Sequence, residues 1–84
     1  MGARLFVGNL SYDTTPESLR DAFAPFGEVT DVHVIIDRYS GRPRGFAFVT
    51  MASAEQAAGA MQKLNGTLLG GRPMRVNEAE ARRH

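Results

Sequence analysis

Residues 44–49, RGFAFV, alternate with the period of two that marks a β-strand, yet both phases of the alternation are apolar. Ala47 and Val49 fall on one face, and Phe46 and Phe48 on the other. Such a strand buries both faces only if packed elements cover both sides of its sheet. A chain of 84 residues has room for one small domain. The fold therefore turns on how much apolar helix is available to lie over that sheet.

Two helices are expected. In SYDTTPESLRDAFAPFG (11–27), Thr14 or Thr15 stands at the N-cap, Pro16 near the first turn, and Glu17 completes a capping box with Thr14. Leu19, Ala22, Phe23 and Phe26 recur at i, i+3, i+4 and i+7 as one apolar stripe. Pro25 is unfavourable inside a helix and distorts the last turn, and Gly27 is the stop. The second helix starts at Ser53, with Gln56 completing another capping box. It carries the stripe Ala57, Ala60, Met61 and Leu64 and ends at Asn65-Gly66.

Strands fill the intervals. RLFVGNL (4–10) ends in a Gly-Asn turn. VTDVHVIID (29–37) is rich in β-branched residues, with Val32, Val34 and Ile36 inward and His33 and Ile35 on the other face. RYSGRPR (38–44) reads as a loop, and the RGFAFV strand follows over 45–51. TLLGG (67–71) is a connector suited to a short hairpin. RPMRVNE (72–78) is the last strand, with Met74 and Val76 inward and Arg75 and Asn77 outward. The order β-α-β-β-α-β predicts an α+β, ferredoxin-like sandwich over residues 1–79, followed by a polar tail at 80–84. Its four-stranded antiparallel sheet carries two helices on one face.

Two stripes cover one side of that sheet. Ala47, Val49 and Met51 share a phase that suits the helix side, so Phe46 and Phe48 must face the open side. Leu5 and Val7 fix the inward phase of the first strand, which turns Phe6 outward as well. In this topology the two strands are central neighbours. Three rings are expected to share one platform, flanked by His33, Ile35, Arg75 and Asn77. An aromatic cluster of this size on a monomer marks a binding surface. Rings flanked by Arg and Asn suit unpaired bases, because every base has a π-face that stacks on phenyl.

Composition narrows the alternatives. The chain has no cysteine, which excludes a disulfide framework and a cysteine-based zinc site and fits a reducing compartment. Its apolar runs are too short to span a bilayer, and no secretory h-region follows Met1, so no membrane partner is expected and the cytoplasm is the expected location. Net charge is only +1, but Arg38, Arg42 and Arg44 lie within seven residues with no acid between them. Glu17, Asp21, Glu28, Asp31 and Glu55 fall mostly on or beside the helices, suggesting one basic and one acidic face. There is no glycine-rich phosphate loop, catalytic triad or metal-ligand spacing, so neither an enzyme nor a cofactor is expected.

LFVGNL (5–10) and RGFAFVTM (44–51) resemble the hexapeptide and octapeptide of the RNA recognition motif, the latter written K/R-G-F/Y-G/A-F-V-x-F/Y. Arg44 to Val49 match in order, and Met51 replaces the final aromatic on the inward phase. VGNLSY, DRYSGRPRGFAFV and VNEA are similar to small single-domain bacterial proteins and to the domain of plant glycine-rich RNA-binding proteins, whose glycine-rich tail is missing here.

The resemblance implies single-stranded RNA binding. Phe6 and Phe46 would stack on adjacent bases, Phe48 would sit beside ribose, and Arg44 would pair with phosphate. Arg75, Asn77 and the backbone near Glu78 and Ala79 would meet base edges, while Arg38 and Arg42 would close over the strand from the loop. Tyr39 is either a fourth stacking surface or part of the loop's own packing. His33 would line the platform, and Asn9 would fix the turn after the hexapeptide. Single-stranded DNA is expected to bind more weakly, and the chain to act as a monomer. The rival reading is a protein-interaction module using the sheet or the helix face.

Overall fold

The computed structural model describes residues 3–11, 13–36, 38–41 and 43–79, with Pro43 and Arg44 described by their backbone only. Arg42 and the tail at 80–84 lie outside the described residues. The elements are β1 (Arg4–Gly8), α1 (Pro16–Phe23) extended by a 3-10 turn (Ala24–Phe26), β2 (Val29–Ile36), β3 (Pro43–Met51), α2 (Ala54–Leu64), β4 (Leu68–Leu69), β5 (Arg72–Pro73) and β6 (Arg75–Glu78). Strands β2, β3, β1 and β6, in that order, form one antiparallel sheet, and β4 and β5 form a separate hairpin. This is the ferredoxin-like arrangement, with β1 and β3 at the centre.

Local chemistry sets the helix boundaries, with one change from expectation at each helix. Thr15 is the N-cap of α1, and its hydroxyl accepts from the Ser18 N–H at 3.1 Å. The Ser18 hydroxyl accepts from the Thr15 N–H at 3.1 Å, so Ser18 and not Glu17 closes the capping box. Thr14 is buried instead, with its hydroxyl 3.3 Å from that of Ser11. Pro25 has no N–H to continue the ladder, and the chain tightens into the 3-10 turn before Gly27.

At α2, the Ser53 hydroxyl accepts from the Gln56 N–H at 3.2 Å. The Gln56 side chain does not return to the cap. Its Oε1 accepts from the Glu28 N–H at 3.2 Å and ties α2 to the start of β2. A Cβ at Gly27 would stand 2.4 Å from Gln56 Cδ, so the bare backbone there makes room for the tie.

The core lies between the sheet and the helices. Leu5, Val7, Ala47, Val49, Met51 and Val76 from the sheet are buried with Leu19 and Phe23 from α1 and Ala57, Ala60 and Leu64 from α2. Phe26, Val32, Val34 and Met61 pack against this cluster while keeping some exposure. Neither helix is long and apolar enough to cross a membrane.

The edge strand β2 departs from simple alternation. Val32 and Val34 pair with Val49 and Ala47 and share the core phase, as expected. Ile36 was expected inward but is 50% exposed. A register shift lies between Val34 and Ile36, where Ile35 stands opposite residues 44–46 of β3. Gly45 has φ +92, which a β-bulge of this kind requires and other residues adopt only with strain. The bulge carries Ile36 past the end of the core.

The final strand is also interrupted. Met74 is buried but leaves the ladder, because its N–H donates to the Thr67 carbonyl while its own carbonyl accepts from the Gly66 N–H. The expected single strand over 72–78 is therefore two, β5 and β6, and TLLGG does turn in a hairpin. Gly70 and Gly71 both have positive φ (63° and 85°), the combination a tight two-residue turn demands.

Candidate nucleic-acid interface

Register aligns the outward residues of the sheet. Phe6 pairs with Phe48 on one side and Asn77 on the other, and Phe48 pairs with His33. His33, Phe48, Phe6 and Asn77 thus form one row across all four strands. Gly8 pairs with Arg75 in a neighbouring row, and Arg4 and Asp31 both pair with Thr50 in another. The alternation of β1 and β3 puts the helices on one side and every one of these residues on the other.

Three phenyl rings occupy the centre. The Phe6 and Phe46 centroids are 5.7 Å apart at an interplanar angle of 35°. Phe6 and Phe48 meet at 5.9 Å and 64°, and Phe46 and Phe48 at 6.4 Å and 89°. These separations lie in the attractive range for aromatic pairs. All three rings are half-buried, because each shields part of its neighbours. The cluster is preassembled, so a ligand meets it without an ordering cost for those side chains.

Glycine shapes the platform at one position. A Cβ on Gly8 would lie 2.8 Å from Phe6 Cε2, so the Phe6 ring leans over bare backbone. Beside it, Phe6, Gly8, Asn9, Leu10, Gly45, Phe46 and Arg72 line an open depression of about 390 Å³.

The expected site residues divide into groups. Phe6, Phe46, Phe48, His33, Arg75 and Asn77 lie together on the open face, with His33, Arg75 and Asn77 exposed. Arg44 is on β3 by its backbone. Arg38 and Tyr39 are exposed in the turn at 38–40, beyond the end of β2, and Tyr39 is 92% accessible. The Ala79 N–H donates to the Arg4 carbonyl at 2.9 Å, so this amide extends the β1–β6 pairing and is not a free donor for a base edge. Asp31, expected beside a helix, stands on the platform face, because it shares the phase of His33 and alternates with inward Val32.

Two contributors were not anticipated from the sequence. Arg4 places its guanidinium 4.3 Å from the Phe48 centroid, a cation–π contact. Its signal was present, since Arg4 shares the outward phase of Phe6. Arg72 donates from Nη2 to Asn9 Oδ1 at 2.7 Å, and Asn9 Nδ2 donates to the Pro73 carbonyl at 2.7 Å. This contact joins opposite ends of the chain, and no local pattern announces it. Asn9 does fix its turn, in the left-handed region at φ 58, which asparagine tolerates better than most residues.

Comparisons with known proteins agree with this geometry. Residues 5–75 match the profile of the RNA recognition motif. The chain is 52% identical over 80 residues to glycine-rich RNA-binding protein 5, mitochondrial, of Arabidopsis thaliana, covering 95% of this chain and 27% of that protein. It thus spans about a quarter of that relative's length. Among solved structures it superposes on RNA-binding protein PG1 with a TM-score of 0.90 and 38% identity, covering 98% of this chain and 99% of the other. The Rna15 RRM with bound RNA (GU) gives a TM-score of 0.85 at 28% identity, covering 96% of this chain and 86% of that one.

Proposed function

The chain belongs to the RNA recognition motif family, and from that premise we propose that it binds single-stranded RNA across the open sheet face. The observation that carries this reading is the cluster of Phe6, Phe46 and Phe48, three rings in mutual contact on the side opposite the helices. Bases and riboses lie against the rings. Each stacked base contributes about 1–3 kcal/mol, and tolerance of sequence follows from the fact that every base has a π-face. Arg4 and Arg44 hold phosphates, and Arg75, Asn77 and His33 lie on the same face for contacts to base edges or sugar. Arg38 and Arg42 approach from the loop between β2 and β3.

The binding unit is residues 1–79, which includes the matched span 5–75. Single-stranded DNA binds the same face more weakly, since stacking needs no 2′-OH. The protein acts as a monomer, and its role is binding without catalysis: an oligonucleotide incubated with it is recovered uncut. Resemblance to small bacterial proteins supports a bacterial, cytoplasmic setting, whereas the Arabidopsis relative is mitochondrial by name. The binding chemistry is the same in either.

An NMR titration with a short uridine-rich oligonucleotide tests the proposal. Amide shifts confined to residues 5–9, 33–48 and 74–79 support it. An unchanged spectrum at high micromolar oligonucleotide, or shifts confined to the exposed faces of α1 and α2, sinks it.

A further inference from the structure

The depression beside Phe6 and Phe46 is more than the margin of the platform. Its floor is aromatic and its sides include Gly8 and Gly45, which project nothing into it. At about 390 Å³ it falls within the range of small-molecule sites. One charged group stands on its rim, the guanidinium of Arg72.

One hydrogen bond orients that guanidinium. Asn9 Oδ1 accepts from Arg72 Nη2, and the other end of the same amide donates to the Pro73 carbonyl. Both functions of the Asn9 side chain are therefore spent on holding β5. The Gly70-Gly71 turn of the β4–β5 hairpin also lies close to Ser11, where a Cβ on Gly70 would come within 3.0 Å of the Ser11 hydroxyl. Asn9 is the only hydrogen-bond partner of Arg72 among the described residues.

The geometry points to a nucleotide subsite here, in which Asn9 positions Arg72 to donate to the O6/N7 edge of a guanine seated against Phe6 and Phe46. This rests on the RNA-binding reading above and assigns one base to one place. A guanidinium is a planar fork of donors, and it pairs best with two adjacent acceptors in one plane. Guanine offers these at O6 and N7 on a two-ring base, whereas adenine sets a donor beside N7 and cytosine offers N3 and O2 on a single ring with less face to stack. A phosphate has matching oxygens but no flat face to lie against Phe6 and Phe46. Arg72 thus touches the base, and Asn9 acts through Arg72.

Fluorescence anisotropy at fixed salt tests this with labelled uridine octamers in which one guanosine is walked through the sequence, beside matching walks of adenosine and cytidine. The wild-type protein is expected to show one position at which guanosine binds about tenfold tighter than the other bases. Arg72→Lys keeps the charge and loses the fork, so it abolishes that preference, read as the ratio of guanosine to uridine affinity within the variant. Asn9→Gly tolerates the positive φ and removes the amide, and it reduces the preference with no change of charge; thermal melts confirm that both variants are folded. A preference for another base, no preference, or one that survives Arg72→Lys overturns the subsite. Loss of all-uridine binding in Phe46→Ala separates that result from a failure of RNA binding itself, which an unaffected Phe46→Ala would indicate.

Discussion

Arg4 and Phe48 are diagonal neighbours on adjacent strands, and the Arg4 guanidinium lies 4.3 Å from the centre of the Phe48 ring. A cation is thereby parked on the aromatic surface, against the face of one ring. Contacts of this kind at exposed sites contribute about 0.5–1 kcal/mol to stability. Arg4→Ala should therefore lower the melting temperature by no more than about 4–8 °C. Its larger effect is expected on electrostatics: the slope of log affinity against log salt should become shallower by about 1, as for the loss of one phosphate contact. Binding isotherms at several salt concentrations measure it.

Phe46 and Phe23 separate binding from folding. Phe46 is half-buried and touches two rings of the platform, whereas Phe23 is fully buried between α1 and the sheet. Phe46→Ala should weaken RNA binding by about 1–3 kcal/mol, with a stability loss smaller than that of a core truncation. Phe23→Ala should cost about 3–5 kcal/mol of stability and leave the affinity of the folded fraction unchanged. Denaturant melts paired with binding titrations distinguish the two patterns, and an equal stability loss from both would mean that Phe46 belongs to the core.

Gly8 tests the shape of the platform without touching its charge. A methyl group there would stand 2.8 Å from Phe6 Cε2, so the ring must turn away in Gly8→Ala. The expected outcome is several-fold weaker RNA binding, with shifted Phe6 ring resonances and helix amides unaltered. Unmoved Phe6 resonances would show that the backbone, not the ring, gives way.

Thr15 serves as the control on the opposite side of the molecule. Its hydroxyl and that of Ser18 satisfy each other's backbone amides at the start of α1. Thr15→Ala should cost about 1 kcal/mol, a fall of about 4–8 °C in melting temperature, while RNA affinity stays at the wild-type value. A scanning calorimetry trace and one binding curve are enough to check it.

Much of this protein was legible in its sequence because period and phase are local. The alternation through Leu5, Phe6 and Val7, and through Phe46 to Val49, fixed which residues face the helices once only two helical stripes were available. The stripes of α1 and α2 and the glycine turn after Leu69 were equally local. What the tertiary structure alone decided came from contacts between distant segments. Ile36 left the core because β3 bulges at Gly45, and Gln56 turned from its own cap to the Glu28 amide. The Arg72–Asn9 bond joins the two ends of the chain. A residue's face follows from its immediate neighbours, because side chains alternate along one strand. Its hydrogen-bond partner depends on which distant backbone or side chain the packed fold brings within about 3 Å, and no pattern within a single segment contains that information.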